Sequence, residues 1–340
     1  MIETTREPVL VDLALQGGGS HGAFTWGVLD RLLEEPWLRI EAISGTSAGA
    51  MNAALLADGW VQGGAEGARA TLDTYWRRVS QAAVFSPVQR SPLDRLMGRW
   101  TLDTSPAYVM MDLMARVLSP YDLNPLGLNP LRRILTETID FGRLTSAPIR
   151  LFITATNVRT GRGRIFRNKE ITPDVLLASA CLPTMFQAIE IDGEAYWDGG
   201  YMGNPAIFPL IYGCESADIV IVHINPLFRA EVPHSADDIL NRINEISFNS
   251  SLMREMRAVS FVTKLVTQKR IDGGLKHVLI HSISDDAFMG ALTPTSKFNA
   301  DWDFLIFLRD QGRKCADKWL ADNFAKLGVE SSVDAELVYL

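Results

Sequence analysis

The sequence predicts an α/β fold: a three-layer sandwich with a mainly parallel central sheet and a helical insertion. Apolar runs of strand length are nearly continuous rather than alternating, as suits strands covered on both faces. The first runs each stop at glycines and lead into apolar residues at helical spacing, so strand–turn–helix occurs twice in succession. The chain has 340 residues, 47% hydrophobic and 21% charged, enough to bury a large core and to exclude disordered, collagen-like and disulfide-miniprotein classes.

The elements follow in order. Val9–Leu15 (VLVDLAL) reads as a strand, and Phe24, Val28 and Leu32, with Leu29 and Leu33, form a helical stripe before Pro36. A second strand is expected over 40–44, then a glycine turn, then an Ala-rich helix from 48 to about 56. Residues 73–130 break the rhythm with prolines, aromatics and the Met-rich run YVMMDLMARVL. This is the expected helical insertion, either a cap over a site or a peripheral layer packed on the core, since Met is a common gap-filler. Further strands are expected over 150–156, 218–224 and 276–283, and helices over 173–180 and about 300–327, the latter ending near Gly328. The expected organisation is a core over 9–211 that contains the insertion, and a continuation of the same α/β domain over 212–340.

A formal net charge of −7 (33 basic against 40 acidic residues) supplies no cationic field for nucleic acid. Cys181, Cys214 and Cys315 are odd in number and widely spaced, which fits neither a disulfide framework nor a zinc site and favours a reducing compartment. The first residues, MIETTREPVL, lack the apolar core of a secretory signal. No stretch approaches the roughly 18–20 apolar residues of a transmembrane helix, so a cytoplasmic protein is expected.

Gly45-Thr46-Ser47-Ala48-Gly49 fits G-x-S-x-G between a strand and a helix, the context in which a tight turn exposes a serine oxygen above a helix N-terminus. Gly17-Gly18-Gly19-Ser20-His21-Gly22 likewise follows a strand and opens a helix. Two chemistries suit it. Its backbone N–H groups would form an oxyanion hole; Gly17, Gly19 and Gly22 also satisfy the dinucleotide fingerprint G-x-G-x-x-G. The acidic residue at the fingerprint's spacing, Glu41, is followed almost at once by the serine turn, which leaves little room for a ribose and favours the oxyanion hole. Asp198-Gly199-Gly200 is by itself an Asp-Gly turn, but a serine nucleophile needs a base and Asp198 is a candidate.

Taken together, Gly17 to Gly22, Gly45 to Gly49 and Asp198 to Gly200 resemble, in order and separation, the three signatures of patatin-like phospholipases. The segments ATNVRTG (155–161) and ASACLPTMF (178–186) are similar too, and the resemblance spans about 9–211. It implies a lipid acyl hydrolase with a serine–aspartate dyad: Ser47 as nucleophile, Asp198 as base, and Gly17, Gly18 and Gly19 around the oxyanion, with Ser20 as a further candidate donor. Gly22, Gly45, Gly49, Gly199 and Gly200 are the remaining motif glycines. The implied substrates are phospholipids, lysophospholipids or other fatty-acyl esters, and the mechanism calls for no cofactor and no metal. The chain departs from the pattern at His21, where many members have arginine or lysine; a neutral histidine supplies less positive field.

An ordinary carboxylate, with a pKa near ~3.9, is a weak base for a hydroxyl, so direct contact and a water-poor cleft are required. The rival is a Ser–acid–His triad, for which His223, His234, His277 and His281 all follow Asp198. His277 and His281 share one face of a strand in this reading, whereas His223 sits in an apolar strand as a satisfied core residue. Residues 251–270 read as an amphipathic helix with Leu252, Met256, Val259, Val262 and Val266 on one side and Arg254, Arg257, Lys264, Lys269 and Arg270 supplying charge. It suits either an anionic membrane surface or a core-facing helix with a solvated basic face. Acyl transfer or thioester hydrolysis by the same dyad, and a non-catalytic lipid-binding module, are the competing functions.

Overall fold

The computed structural model describes residues 6–268 and 276–340. Its eight strands are β1 (Val9–Leu15), β2 (Leu38–Gly45), β3 (Arg150–Asn157), β4 (Gly163–Arg167), β5 (Ile189–Ile191), β6 (Glu194–Asp198), β7 (Asp218–Val222) and β8 (Leu279–Ile283). They form one sheet in the order β5-β6-β3-β2-β1-β7-β8, with β4 also paired to β3. Strands β1, β2, β3, β7 and β8 run parallel, while β4 and β6 pair antiparallel to β3 on its two edges and β5 pairs antiparallel to β6.

The period-2 geometry of a strand divides the core. Leu13 and Leu15 of β1, with Val220 and Val222 of β7, face one layer, and Ala14, Ile219 and Ile221 face the other. The first layer holds α1 (Gly22–Leu32) and α2 (Ala48–Ala83). Between these and β3 come α3 (Pro92–Leu96), α4 (Pro106–Ala115), α5 (Pro120–Leu123), α6 (Pro130–Thr138) and α7 (Phe141–Leu144). The chain continues through α8 (Pro173–Ser179), α9 (Phe208–Gly213), α10 (Ala236–Thr267), α11 (Asp286–Gly290), α12 (Trp302–Asn323) and α13 (Ala335–Tyr339). Helices α9, α10 and α13 cover the second face, and α12 returns to the first against α1. The architecture is the expected α/β sandwich.

Several boundaries differ from expectation. The helix expected to end near 56 runs to Ala83, bent where Gly63 and Gly64 leave helical geometry. Its second half carries Leu72, Tyr75 and Trp76 into the core, so residue 73, the expected start of the insertion, lies inside α2. The exposed helices begin after it, and α4 buries no residue at all. The helix expected over 300–327 stops at Asn323; Gly328, at φ +75°, ends the turn beyond it and donates its N–H to Asp218. Helix α10 reaches back to Ala236, and Leu252 and Met256 lie fully in the core. Leu252, Met256 and Val259 of the face considered for a membrane are thus packed on the fold itself, while Val262 and Val266 are half-buried; Lys269 and Arg270 fall outside the described residues. Among the described residues, no helix is long and apolar enough to cross a membrane.

Candidate active site

Strand β2 ends at Gly45, opposite Ile153 of β3, and the chain turns at once through Thr46 and Ser47 into α2. Ser47 has φ 53° and ψ −121°, a left-handed conformation that costs a non-glycine residue of order 1–3 kcal/mol. The turn is tightened by Gly49 N–H donating to Thr46 O (2.8 Å) and fastened by the Thr46 hydroxyl donating to Gly203 O (2.6 Å). The strain has a use, because it lifts the Ser47 side chain out of the turn and away from the helix it begins.

The candidate base arrives by strand replacement. Phe152 of β3 pairs with β2 on one edge and β4 on the other, and Ala155 pairs with β4 and with Asp198 of β6. Strand β6 thus takes up the same edge of β3 that β2 has just vacated, which sets Asp198 beside the serine elbow. The Asp198 carboxyl accepts the Gly200 N–H (2.7 Å) and shares one cavity with the Ser47 side chain. Only 3% of the residue is exposed, and burial pushes its pKa up to about 7 against the opposing pull of the Gly200 N–H and the neighbouring Ser47 hydroxyl.

The glycine loop supplies the opposite wall. A Cβ on Gly17 would come within 2.5 Å of Ser47 Cβ, and Gly19 stands at φ +59° with Lys297 O 2.4 Å from where its Cβ would be. Only glycine lets the loop pass this close. The Gly17 N–H donates to Asn204 Oδ1 (2.7 Å), whereas those of Gly18 and Gly19 have no protein acceptor among the described residues. Of the three glycine donors, those of Gly18 and Gly19 therefore remain free to meet an anion. The other motif glycines seat the elbow: Gly45 on Gly49, Gly49 on Leu15, Gly22 on Ala48, Gly199 on Thr154, and Gly200 under Phe248.

Residues not singled out in the sequence brace this loop. Gln16 donates to Asn204 O (3.2 Å) and Asn249 Oδ1 (3.0 Å) and accepts the N–H groups of Ile224 and Asn225 (both 3.0 Å). Asn225 Nδ2 donates to Gly17 O at 2.7 Å, and the Ser179 hydroxyl accepts the Ser47 N–H at 2.9 Å. One available signal was position, since Gln16 and Asn225 directly follow strands at the carboxyl edge where α/β sheets place their ligands. The glycine loop, Asn204, Leu182, Phe248, Lys297 and Phe298 surround a cavity of about 60 Å³ over Ser47 and Asp198, room for an ester group but not for an acyl chain.

The alternatives read differently in three dimensions. Glu41, the acid of the dinucleotide reading, accepts the N–H groups of Glu215 and Ser216 and pairs with Arg150, so it is committed to the fold. His223 bonds Tyr339 (2.8 Å) and His281 bonds Asp218 (2.9 Å), both buried, while His277 precedes β8 instead of lying in it. Among the described residues, no histidine lines the cavity over Ser47. His21 is 3% exposed, with Nε2 2.7 Å from Ser296 Oγ, and the Ser296 hydroxyl itself donates to Thr293 O. Nε2 therefore carries the ring proton. Burial, reinforced by the Lys297 charge, holds the His21 pKa well below its usual value, so the ring is neutral.

Comparison with known proteins shows the family. A cGAMP-activated phospholipase of Pseudomonas aeruginosa is 30% identical over 213 residues, 58% of this chain and 55% of that protein. The chain thus spans about half the length of this relative. Among solved structures, VipD of Legionella pneumophila aligns over 92% of this chain and 67% of its own, at 15% identity and a TM-score of 0.42. ExoU of Pseudomonas aeruginosa, in complex with SpcU, aligns over 92% and 53%, at 17% identity and a TM-score of 0.31. The family described as patatin-like phospholipase matches residues 13–211, which hold the glycine loop, the serine elbow and the Asp-Gly-Gly turn, and the chain belongs to that family.

Proposed function

We propose that the protein is a lipid acyl hydrolase in which Ser47 and Asp198 act as a dyad on phospholipid or lysophospholipid esters. The observation that carries this reading is the Ser47 side chain sharing a small cavity with a buried carboxyl whose pKa is raised to about 7. A base poised near neutral pH, beside a nucleophile held on a strained turn, is the arrangement acyl transfer requires.

In the proposed reaction Asp198 takes the Ser47 proton as Oγ attacks the ester carbonyl. The oxyanion that forms is met by the Gly18 and Gly19 N–H groups. Collapse expels the alcohol oxygen, which recovers the proton from Asp198, and leaves an acyl group on Ser47. Water then attacks this ester and passes a proton to Asp198. That proton returns to Ser47 Oγ as the fatty acid departs.

The surroundings suit a lipid. The acyl chain must leave the small cavity past Leu182, Phe248 and Phe298, and Phe298 touches Tyr108 of α4 with ring centroids 6.0 Å apart. Val109, Met110, Leu113 and Met114 of the same helix are 41–59% exposed, an apolar surface beside the cavity mouth that we assign to the lipid.

Intact-mass measurement after fluorophosphonate treatment tests the dyad. Wild type is expected to gain a single adduct, Ser47→Ala none, and Asp198→Asn an adduct that forms much more slowly. Released fatty acid, measured with and without an alcohol acceptor, then separates hydrolysis from acyl transfer. A folded wild type that takes no adduct would favour lipid binding without catalysis.

The pH dependence has a definite sign. Asp198 must be ionised to take the serine proton, and burial holds its pKa at about 7. kcat/KM on a neutral ester should therefore climb with pH, level off above about 7, and fall about ten-fold per unit below about 6. A profile flat from pH 5 to 8 would remove Asp198 as the base.

A further inference from the structure

The charge missing from His21 reappears from elsewhere in the chain. Lys297 lies in the 3-10 turn Pro294–Phe298, next to the Ser296 that holds the neutral His21 ring. It is half-buried, lines the same cavity as Ser47 and Asp198, and presses its backbone carbonyl on Gly19. Its ammonium donates to the neutral Asn225 Oδ1 at 3.2 Å, and Asn225 is itself anchored on Gly17 O.

This ammonium has no ion-pair partner among the described residues. The nearby Glu245 carboxylate is taken by Arg229 (2.6 Å), Arg242 (3.2 Å) and Asn241 (3.0 Å). Burial draws the lysine's pKa below its usual value, with Glu245 opposing and Arg229 assisting. An ammonium bonded to a neutral amide oxygen, with both nearby carboxylates engaged by other groups, is stabilised when a ligand brings a further anion.

We propose that Lys297 is a specificity-determining residue that receives the phosphate of a glycerophospholipid whose neighbouring ester lies over Ser47. The proposal rests on the hydrolase reading above and deepens it by naming the group that distinguishes substrates. A glycerophospholipid carries its phosphate a few bonds from the scissile ester; a diacylglycerol offers the same esters and chains without it.

The test measures kcat and KM of wild type, Lys297→Met and Lys297→Arg on dioleoylphosphatidylcholine and on dioleoylglycerol, each in the same neutral detergent micelles. In Lys297→Met, kcat/KM on the phospholipid should fall about 30-fold, chiefly through KM, and on the diacylglycerol less than about three-fold. Lys297→Arg should recover most of the phospholipid activity. An equal fall on both substrates would assign Lys297 to the oxyanion or to the fold and overturn the proposal, as would no fall on either. Wild type inactive on both lipids would instead remove the hydrolase reading, and the phosphate site with it.

Discussion

Ser47→Ala is expected to lower kcat for ester hydrolysis by about 10⁴-fold or more, and Asp198→Asn by about 10³–10⁴-fold, with KM little changed. The serine variant loses the atom that forms the acyl bond. The asparagine variant keeps an oxygen for the Gly200 N–H but has no charge with which to accept the serine proton. Stability separates lost chemistry from lost structure. The folded-state pKa of Asp198 is raised from 3.8 to about 7, so the folded protein retains a proton that the unfolded chain releases. The contribution of this group to stability therefore falls as pH rises from about 4 to about 7 and stays low above that. Asp198→Asn removes this penalty and should gain about 2 kcal/mol at pH 8, a part of the ~4 kcal/mol implied by three pK units once the lost interaction with the Ser47 hydroxyl is discounted. Urea unfolding at pH 5 and pH 8 checks it. An inactive variant that is also less stable at pH 8 would mean that Asp198 is primarily structural.

Gly27→Val is expected to destabilise the protein by about 3 kcal/mol or more and to inactivate it by unfolding rather than by chemistry. Helices α1 and α12 meet backbone to backbone: a Cβ on Gly27 would lie 1.9 Å from Arg309 O, and one on Gly312 2.0 Å from Phe24 O. Neither atom is the end of a flexible side chain, so the helices must separate. Separation would also disturb Trp26, whose ring sits between those of Trp76 and Trp302 at 6.4 and 6.2 Å, and would shift α1, which opens directly from the glycine loop. Gly312→Ala should act at the same contact, so the double variant should cost less than the sum of the singles. Gly290→Ala, where a Cβ meets nothing within 4 Å, should lie within about 0.5 kcal/mol of wild type. Thermal and urea midpoints decide; a Gly27→Val protein as stable as Gly290→Ala would show that the crossing tolerates a wider spacing.

The sequence by itself determined the layered α/β fold and the bounds of β1, because a covered strand must be almost wholly apolar and a helix must present a stripe. It also located the three glycine-rich turns, since few residues other than glycine survive where backbones nearly touch. Its errors fell where local pattern and tertiary burial disagree. The second half of α2 looks like the start of an insertion until Tyr75 and Trp76 are seen in the core. For α10 the sequence left a membrane face and a core face open, and Leu252 and Met256, buried on the second face of the sheet, bear out the core-facing reading. Only the tertiary structure decided which groups meet. The replacement of β2 by β6 along one edge of β3 brings Asp198 to Ser47, and the turn at Pro294–Phe298 carries a lysine to the glycine loop. Such meetings depend on strand order and on the path of distant loops. Neither leaves a period in the chain, because a side chain's neighbours across a sheet are set by register and not by sequence distance.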